Sequence, residues 1–252
     1  MSETPPLEVR GLVRRYGDMT AVDGLDLEVP PGEIVGFLGP NGAGKTTTLR
    51  CCCGLLRPDG GEIAVAGASL TREPLRAKAA LGFVPDRPFL YDRLSAREML
   101  DLVGALYDVP PETVRERAAA LIARLGLEDA ADDLIETYSH GMRQKVAVCV
   151  ALIHDPVLLM LDEPLSGLDP RGARALKDLL RERAGRGLGV LVSTHLLDVA
   201  ERLCDRVVIL HRGRRLAAGT LESLRGASGE TLEDVFLALT REGGEATGAT
   251  EP

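Results

Sequence analysis

The chain has 252 residues, 45% of them apolar, 27% charged and 3% aromatic, with no Trp. That length holds one large or two small domains around a sizeable core, and the apolar share excludes wholesale disorder. No apolar run approaches the roughly 18 residues a membrane helix needs, the start MSETPPLEVR lacks the basic and apolar regions of a secretion signal, and a formal charge of −8 speaks against a nucleic-acid partner.

In chain order, short apolar runs flanked by Gly, Pro or Asp predict strands at Leu7–Val13, Leu25–Val29, Ile34–Leu38, Glu62–Val65 and Leu81–Val84. From Asp92 to Leu134 the pattern turns helical. Ser95 and Glu98 have capping-box spacing, followed by Met99, Leu102, Val103 and Leu106 on one face. A second helix starts near Pro111 and carries Val114, Ala118, Leu121, Ile122 and Leu125. Further strands are predicted at Val157–Leu161, Val190–Ser193 and Val207–Leu210. Strand alternating with helix implies an α/β protein with a largely parallel sheet, interrupted by a helical insertion. Leu232, Val235, Phe236 and Leu239 recur at helical spacing, and from Glu242 the sequence reads as a frayed tail.

Five Cys without a CxxC pair fit a reducing compartment. Cys51, Cys52 and Cys53 are consecutive. On a helix they point about 100° apart, which suits buried small side chains and neither a disulfide nor a shared metal. The Arg clusters at Arg171–Arg186 and Arg212–Arg215 read as solvated faces, and His211 as surface.

The strand Ile34–Leu38 runs into Gly39-Pro40-Asn41-Gly42-Ala43-Gly44-Lys45-Thr46-Thr47, a full GxxxxGK[ST] match. The glycines let successive backbone N–H groups point inward at phosphate oxygens, and the following helix aims its positive end at the same anion. Lys45 can reach β- and γ-phosphates, and the Thr46 hydroxyl can ligate Mg²⁺. This points to a bound nucleoside triphosphate.

Strand Val157–Leu161 ends in Asp162-Glu163, where α/β sheets bind ligands. Asp162 suits a Mg²⁺ contact and Glu163 suits a general base that polarises water. The strand from Val190 likewise ends in Ser193-Thr194-His195, which places His195 within reach of a γ-phosphate and its attacking water.

These strand ends, together with the segment Tyr138 to Pro170, resemble the ATP-binding-cassette (ABC) ATPases over about residues 5–225. The motifs that carry the likeness are GPNGAGKTT, YSHGMRQK, LLMLDEPLSGLDP and STH, in the family's order and spacing. The resemblance implies a P-loop NTPase core with a mostly parallel sheet, an antiparallel β portion near the N-terminus and a helical subdomain at about 87–155, then a C-terminal helix and flexible tail over 226–252. It also implies ATP and Mg²⁺ as cofactors, with Tyr16 stacking on adenine, Lys45, Thr46 and Asp162 binding Mg-ATP, Glu163 as catalytic base and His195 as the switch histidine. Ser139 and Gly141 would contact the γ-phosphate held by a second copy, and Asp169 would lie in the loop crossing between the copies.

The family's usual signature, LSGGQ, here reads Tyr138-Ser139-His140-Gly141-Met142. His140 brings either a titratable positive charge near the phosphate or a bulky group tolerated there. A Gln usually follows the FVP loop, and here Asp86 stands there, able to accept metal or water but unable to donate when ionised. Both departures are similar to bacterial exporter and permease-type systems. The implied partners are a second nucleotide-binding subunit, as a homodimer, and an integral membrane permease. The implied place is the cytoplasm, peripheral on the inner face of the cell membrane. Phe89, Leu90 and Tyr91, beside the Asp86 loop, are candidate permease contacts or local core. The alternative is a soluble ABC ATPase that acts on a protein complex without transport.

Overall fold

The computed structural model describes residues 4–225 and 231–245. The N-terminal part is antiparallel. Strands β1 (Leu7–Tyr16), β2 (Met19–Val29), β4 (Gly60–Val65) and β5 (Ala68–Ser69) form one sheet in the order β2-β1-β4-β5. The second sheet combines β3 (Ile34–Leu38), β6 (Leu81–Val84), β7 (Leu158–Asp162), β8 (Gly189–Thr194), β9 (Arg206–His211) and β10 (Arg214–Thr220) in the order β10-β9-β3-β8-β7-β6. All its pairs are parallel except the β9–β10 hairpin.

The parallel strands are buried on both faces, as their near-continuous apolar runs require. Ile34, Leu38, Leu159, Leu161, Val190 and Val192 face one core; Val35, Phe37, Leu158, Met160 and Leu191 face the other. This second core lies against the antiparallel sheet and helix α1 (Lys45–Cys52), where Cys51, Cys52 and Cys53 are all buried. Beyond it, α2 (Pro74–Ala79) leads into β6. The first core is closed by α3 (Ala96–Leu106), α4 (Pro111–Leu125), α5 (His140–Leu152), α6 (Pro170–Ala184) and α7 (Leu197–Leu203). α8 (Leu221–Arg225) and α9 (Leu232–Glu245) follow, with Leu232 buried and Phe236 and Leu239 packed on the same core.

All eight expected strands are present, and α4 buries the five residues its spacing selected. Four expectations need correction. β5 and β10 were not expected: β5 is two residues long, and β10 is Arg-rich and mostly exposed, so neither carries an apolar run. Leu102 and Leu106 are exposed, because α3 buries Ala96, Met99, Leu100 and Gly104 instead. The tail expected from Glu242 begins as helix, since α9 runs to Glu245; residues 246–252 lie outside the described residues. His211 is half-buried, with both ring nitrogens enclosed and unpartnered.

Candidate functional site

Three strand ends meet at one edge of the parallel sheet. Leu38 of β3 is in register with Thr194 of β8, and Asp162 of β7 with Ser193 of β8. The loop Gly39–Gly44, the pair Asp162-Glu163 and His195 therefore emerge side by side. Residues 41–47, Asp162 and Glu163 line, with Tyr16 of β1, a cleft of about 540 Å³; Gly39 and Pro40 stand behind it, bonded to Lys45, and His195 joins it through Glu163.

The loop is shaped by two glycines that nothing else could replace. A Cβ on Gly39 would run into Leu210 O, and one on Gly44, at φ +105°, into Ala21 O. Lys45 closes the loop on itself, its Nζ donating to Gly39 O at 2.6 Å and Pro40 O at 3.2 Å. Burial pushes its pKa below the ordinary lysine value, while the Glu163 and Asp162 carboxylates pull it back up. A buried ammonium held by its own loop is a charge waiting for an anion.

The Thr46 hydroxyl donates to Asp162 Oδ2 at 2.9 Å. Two hard oxygen donors at this spacing fit a Mg²⁺ that keeps its remaining ligands from phosphate and water. Glu163 is held from three sides: Thr194 Oγ1 donates to Oε2 at 3.0 Å, the His195 N–H donates to Oε1 at 3.0 Å, and His195 Nδ1 lies 2.7 Å from Oε1. An ionised Glu163 keeps the proton on Nδ1, which leaves Nε2 as the ring atom for an incoming ligand. Glu163 itself sits at φ +48°, a left-handed conformation that costs a non-glycine residue about 1–2 kcal/mol. Its N–H bond to Ser193 O at 2.8 Å and the side-chain bonds hold it there. Such strain persists where surroundings over-determine it.

Tyr16 is 41% exposed, with the Arg14 guanidinium 4.9 Å from its ring centroid. One face of the ring is thereby supported, and Arg14 is itself tied to Arg57 O and Asp59. Asp86 lines the same cleft. Ser139, Gly141 and Asp169 do not. Ser139 caps α5, its Oγ accepting from the Met142 N–H at 3.3 Å. Gly141 packs on the loop after β7, where a Cβ would stand 2.8 Å from Gly167 O. Asp169 caps α6 by accepting from the Gly172 N–H at 2.9 Å.

Sequence reading missed Met19, Thr20, Ala21, Arg212 and Gly213, which complete the cleft wall. In the sequence Arg212 reads as part of a solvated face. Ala21 carries no chemistry of its own, and only its carbonyl against Gly44 marks it.

Among known proteins, residues 22–166 match the family described as ABC transporter. The chain is 42% identical to the daunorubicin/doxorubicin resistance ATP-binding protein DrrA of Streptomyces peucetius, over 91% of this chain and 69% of that protein. It is 39% identical to the Nod factor export ATP-binding protein I of Ralstonia nicotianae, over 87% of this chain and 68% of that protein. Among solved structures, the dimeric ATP-binding cassette MJ0796, in a post-hydrolysis state with ADP and Pi, superposes with a TM-score of 0.78 at 26% identity, covering 86% of this chain and 99% of that one.

Proposed function

The chain belongs to the ABC transporter family of ATP-binding subunits, and we propose that residues 5–225 are its nucleotide-binding domain, with the subdomain of about 87–155 set into it. As a family member the chain binds ATP and hydrolyses it. What supports the assignment of roles is one observation: Thr46 bonded to Asp162, and Glu163 held by Thr194 and His195, beside a lysine caged in a phosphate loop.

In this reading adenine stacks on Tyr16, and the phosphates lie against the backbone N–H groups of residues 39–47 and the start of α1. Thr46 and Asp162, with Asp86 nearby, would hold Mg²⁺, which neutralises phosphate charge when bound. Glu163 accepts the proton of the attacking water, and the His195 ring, with a proton on each nitrogen, donates from Nε2 to the γ-phosphate while Nδ1 stays bonded to Glu163. Ser139, Gly141 and Asp169 stand outside their own chain's cleft, so they act on a second copy. Two copies pair head to tail, and the N-terminus of α5 in each meets the γ-phosphate held by the other. Hydrolysis removes the shared anion and lets the copies part.

The second partner is an integral membrane permease, and the chain lies on the cytoplasmic face of the cell membrane. Phe89 and Tyr91 are exposed beside the Asp86 loop, while Leu90 packs inward. A nearby groove of about 250 Å³ is lined by Leu55, Phe83, Val103, Tyr107 and His154. Exposed apolar surface of this kind marks a docking face. The likeness to Nod factor export and drug-resistance subunits supports export as the direction of transport.

Glu163→Gln is the test. The variant keeps ATP affinity, loses turnover by roughly a hundredfold or more, and accumulates as an ATP-bound dimer on size-exclusion chromatography. Turnover close to wild type removes Glu163 from the role of base.

A further inference from the structure

The β9–β10 hairpin turns through Arg212 and Gly213, between the paired residues His211 and Arg214. Both turn residues have left-handed φ, +47° and +79°. Two-residue turns of this hand are met by Gly, Asn and Asp; a residue with a longer side chain adopts the conformation at a cost. The turn Ala66–Gly67 between β4 and β5 has similar angles, +48° and +74°, and uses the smallest side chain short of glycine. The hairpin alone therefore gives no reason for an arginine.

Its placement does. The Gly213 N–H donates to Ala43 O in the phosphate loop at 2.9 Å, and Gly213 O accepts from the Asp23 N–H at 2.9 Å. A Cβ on Gly213 would stand 2.8 Å from Ala21 O. The turn is thus fastened to the phosphate loop and to β2 together. From it the exposed Arg212 lines the same cleft as Tyr16, Thr20, Ala21 and Lys45. Among the described residues lining that cleft, Lys45 and Arg212 are the two cations, against Asp86, Asp162 and Glu163. They are not equivalent. In the sheet order β9-β3-β8-β7, the 212–213 turn lies on one flank of the phosphate loop and the Asp162-Glu163 end on the other. Arg212 therefore shares the flank of Ala21 and Tyr16, away from the acidic pair.

We propose that Arg212 is a nucleotide-binding residue whose guanidinium pairs with the α-phosphate of the bound nucleotide, an inference that rests on the cleft being the nucleotide site. Lys45, the loop amides and α1 already surround the β- and γ-phosphates, which leaves the α-phosphate for a cation on the base side. A planar fork of donors suits a phosphate oxygen pair. Because ATP and ADP share this group, the contact tightens both equally, and its loss falls on KM for ATP rather than on kcat.

The experiment measures ATP and ADP affinity of the full chain by isothermal titration calorimetry, for wild type, Arg212→Gly and Arg212→Lys, with Tm taken without nucleotide. Arg212→Gly weakens ATP and ADP by the same factor, roughly tenfold, and the gap narrows with added salt. Its nucleotide-free Tm stays within a few degrees of wild type, because glycine's ease in the left-handed turn offsets the loss of the arginine's own contacts. Arg212→Lys keeps most of the affinity. Wild-type ADP affinity in Arg212→Gly overturns the proposal, as does a loss confined to ATP, or a larger fall in Tm that accompanies the weaker binding. If wild type itself binds neither nucleotide, the nucleotide-site reading falls and takes this proposal with it.

Discussion

His140 and Gly167 are a matched pair, and they show how a departure in one motif is answered in another. Gly167 lies at φ +73°, and a Cβ there would collide with the His140 ring. The signature residue that replaces the family's usual glycine thus fills the space that a side chain at 167 would take. Because Gly167 is four residues past Glu163, the contact ties the start of α5 to the loop that leaves the Glu163 carboxylate. The sequence marks His140 as unusual but cannot show its partner, because nothing in the residue types predicts that helix α5 begins against this loop. The pairing makes a prediction. Gly167→Ala loses about 2–4 kcal/mol of stability, from the left-handed φ and the overpacking together. His140→Gly alone costs under about 1 kcal/mol, and in the double variant it recovers at least about 1 kcal/mol of the loss. Urea denaturation of the four proteins reads this coupling. Additive single effects separate the two residues.

Helix α3 shows which part of an element is legible and which is not. Its start follows from Ser95 and Glu98 alone: the Ser95 Oγ accepts from the Glu98 N–H at 3.2 Å, and Glu98 Oε2 accepts from the Ser95 N–H at 2.8 Å. Its buried face does not follow. Met99, Leu102, Val103 and Leu106 satisfy helical spacing, but so do Ala96, Met99, Leu100 and Gly104, and the second set is the one buried. Apolar counting overlooks Gly104, yet it decides the outcome. A Cβ there would collide with Val114, so the helices meet at the glycine, and Leu106 is turned outward at 72% exposure. Leu106 then stands beside Tyr107, whose ring stacks on His154 at 3.8 Å, and Phe89, at 98% exposure, lies on the loop before α3. If this surface docks a permease, Phe89→Ser with Leu106→Ser leaves the ATPase rate of the isolated chain within about twofold, because surface changes of this kind shift stability little. The same pair of changes removes co-purification from detergent-solubilised membranes. Retained co-purification moves the docking face elsewhere.

At the scale of the whole molecule, the parallel sheet and its site were readable for one physical reason. Strands buried on both faces must be apolar throughout, and where the apolar runs stop, after Leu38, Leu161 and Val192, the residues of the candidate site follow within a few positions. The antiparallel periphery has no such rule: no apolar run marks β5 or β10, and in the sequence Arg212 reads as one more solvated residue. The same double-sided burial encloses all five thiols. Burial is the largest cause in every case: it pushes Cys51 and Cys53 up to about 11, Cys149 and Cys204 up to about 12, and Cys52 well above its ordinary value. The fold therefore favours the protonated thiol. Below the ordinary thiol value of 9.0, folded and unfolded chains both hold these protons and stability is unaffected. Above it the unfolded chain releases protons that the fold retains, so stability falls as pH rises toward the folded values. Each thiol contributes about 1.4 kcal/mol per pH unit to that slope. The urea midpoint should stay level from pH 7 to about 8.5 and drop steeply between about 9 and 11. Removing two of the titrating groups, in Cys149→Ala with Cys204→Ala, lowers stability at neutral pH through lost packing but makes the alkaline slope shallower by about 2.8 kcal/mol per pH unit. An unchanged slope in that variant would assign the alkaline loss to groups other than these thiols.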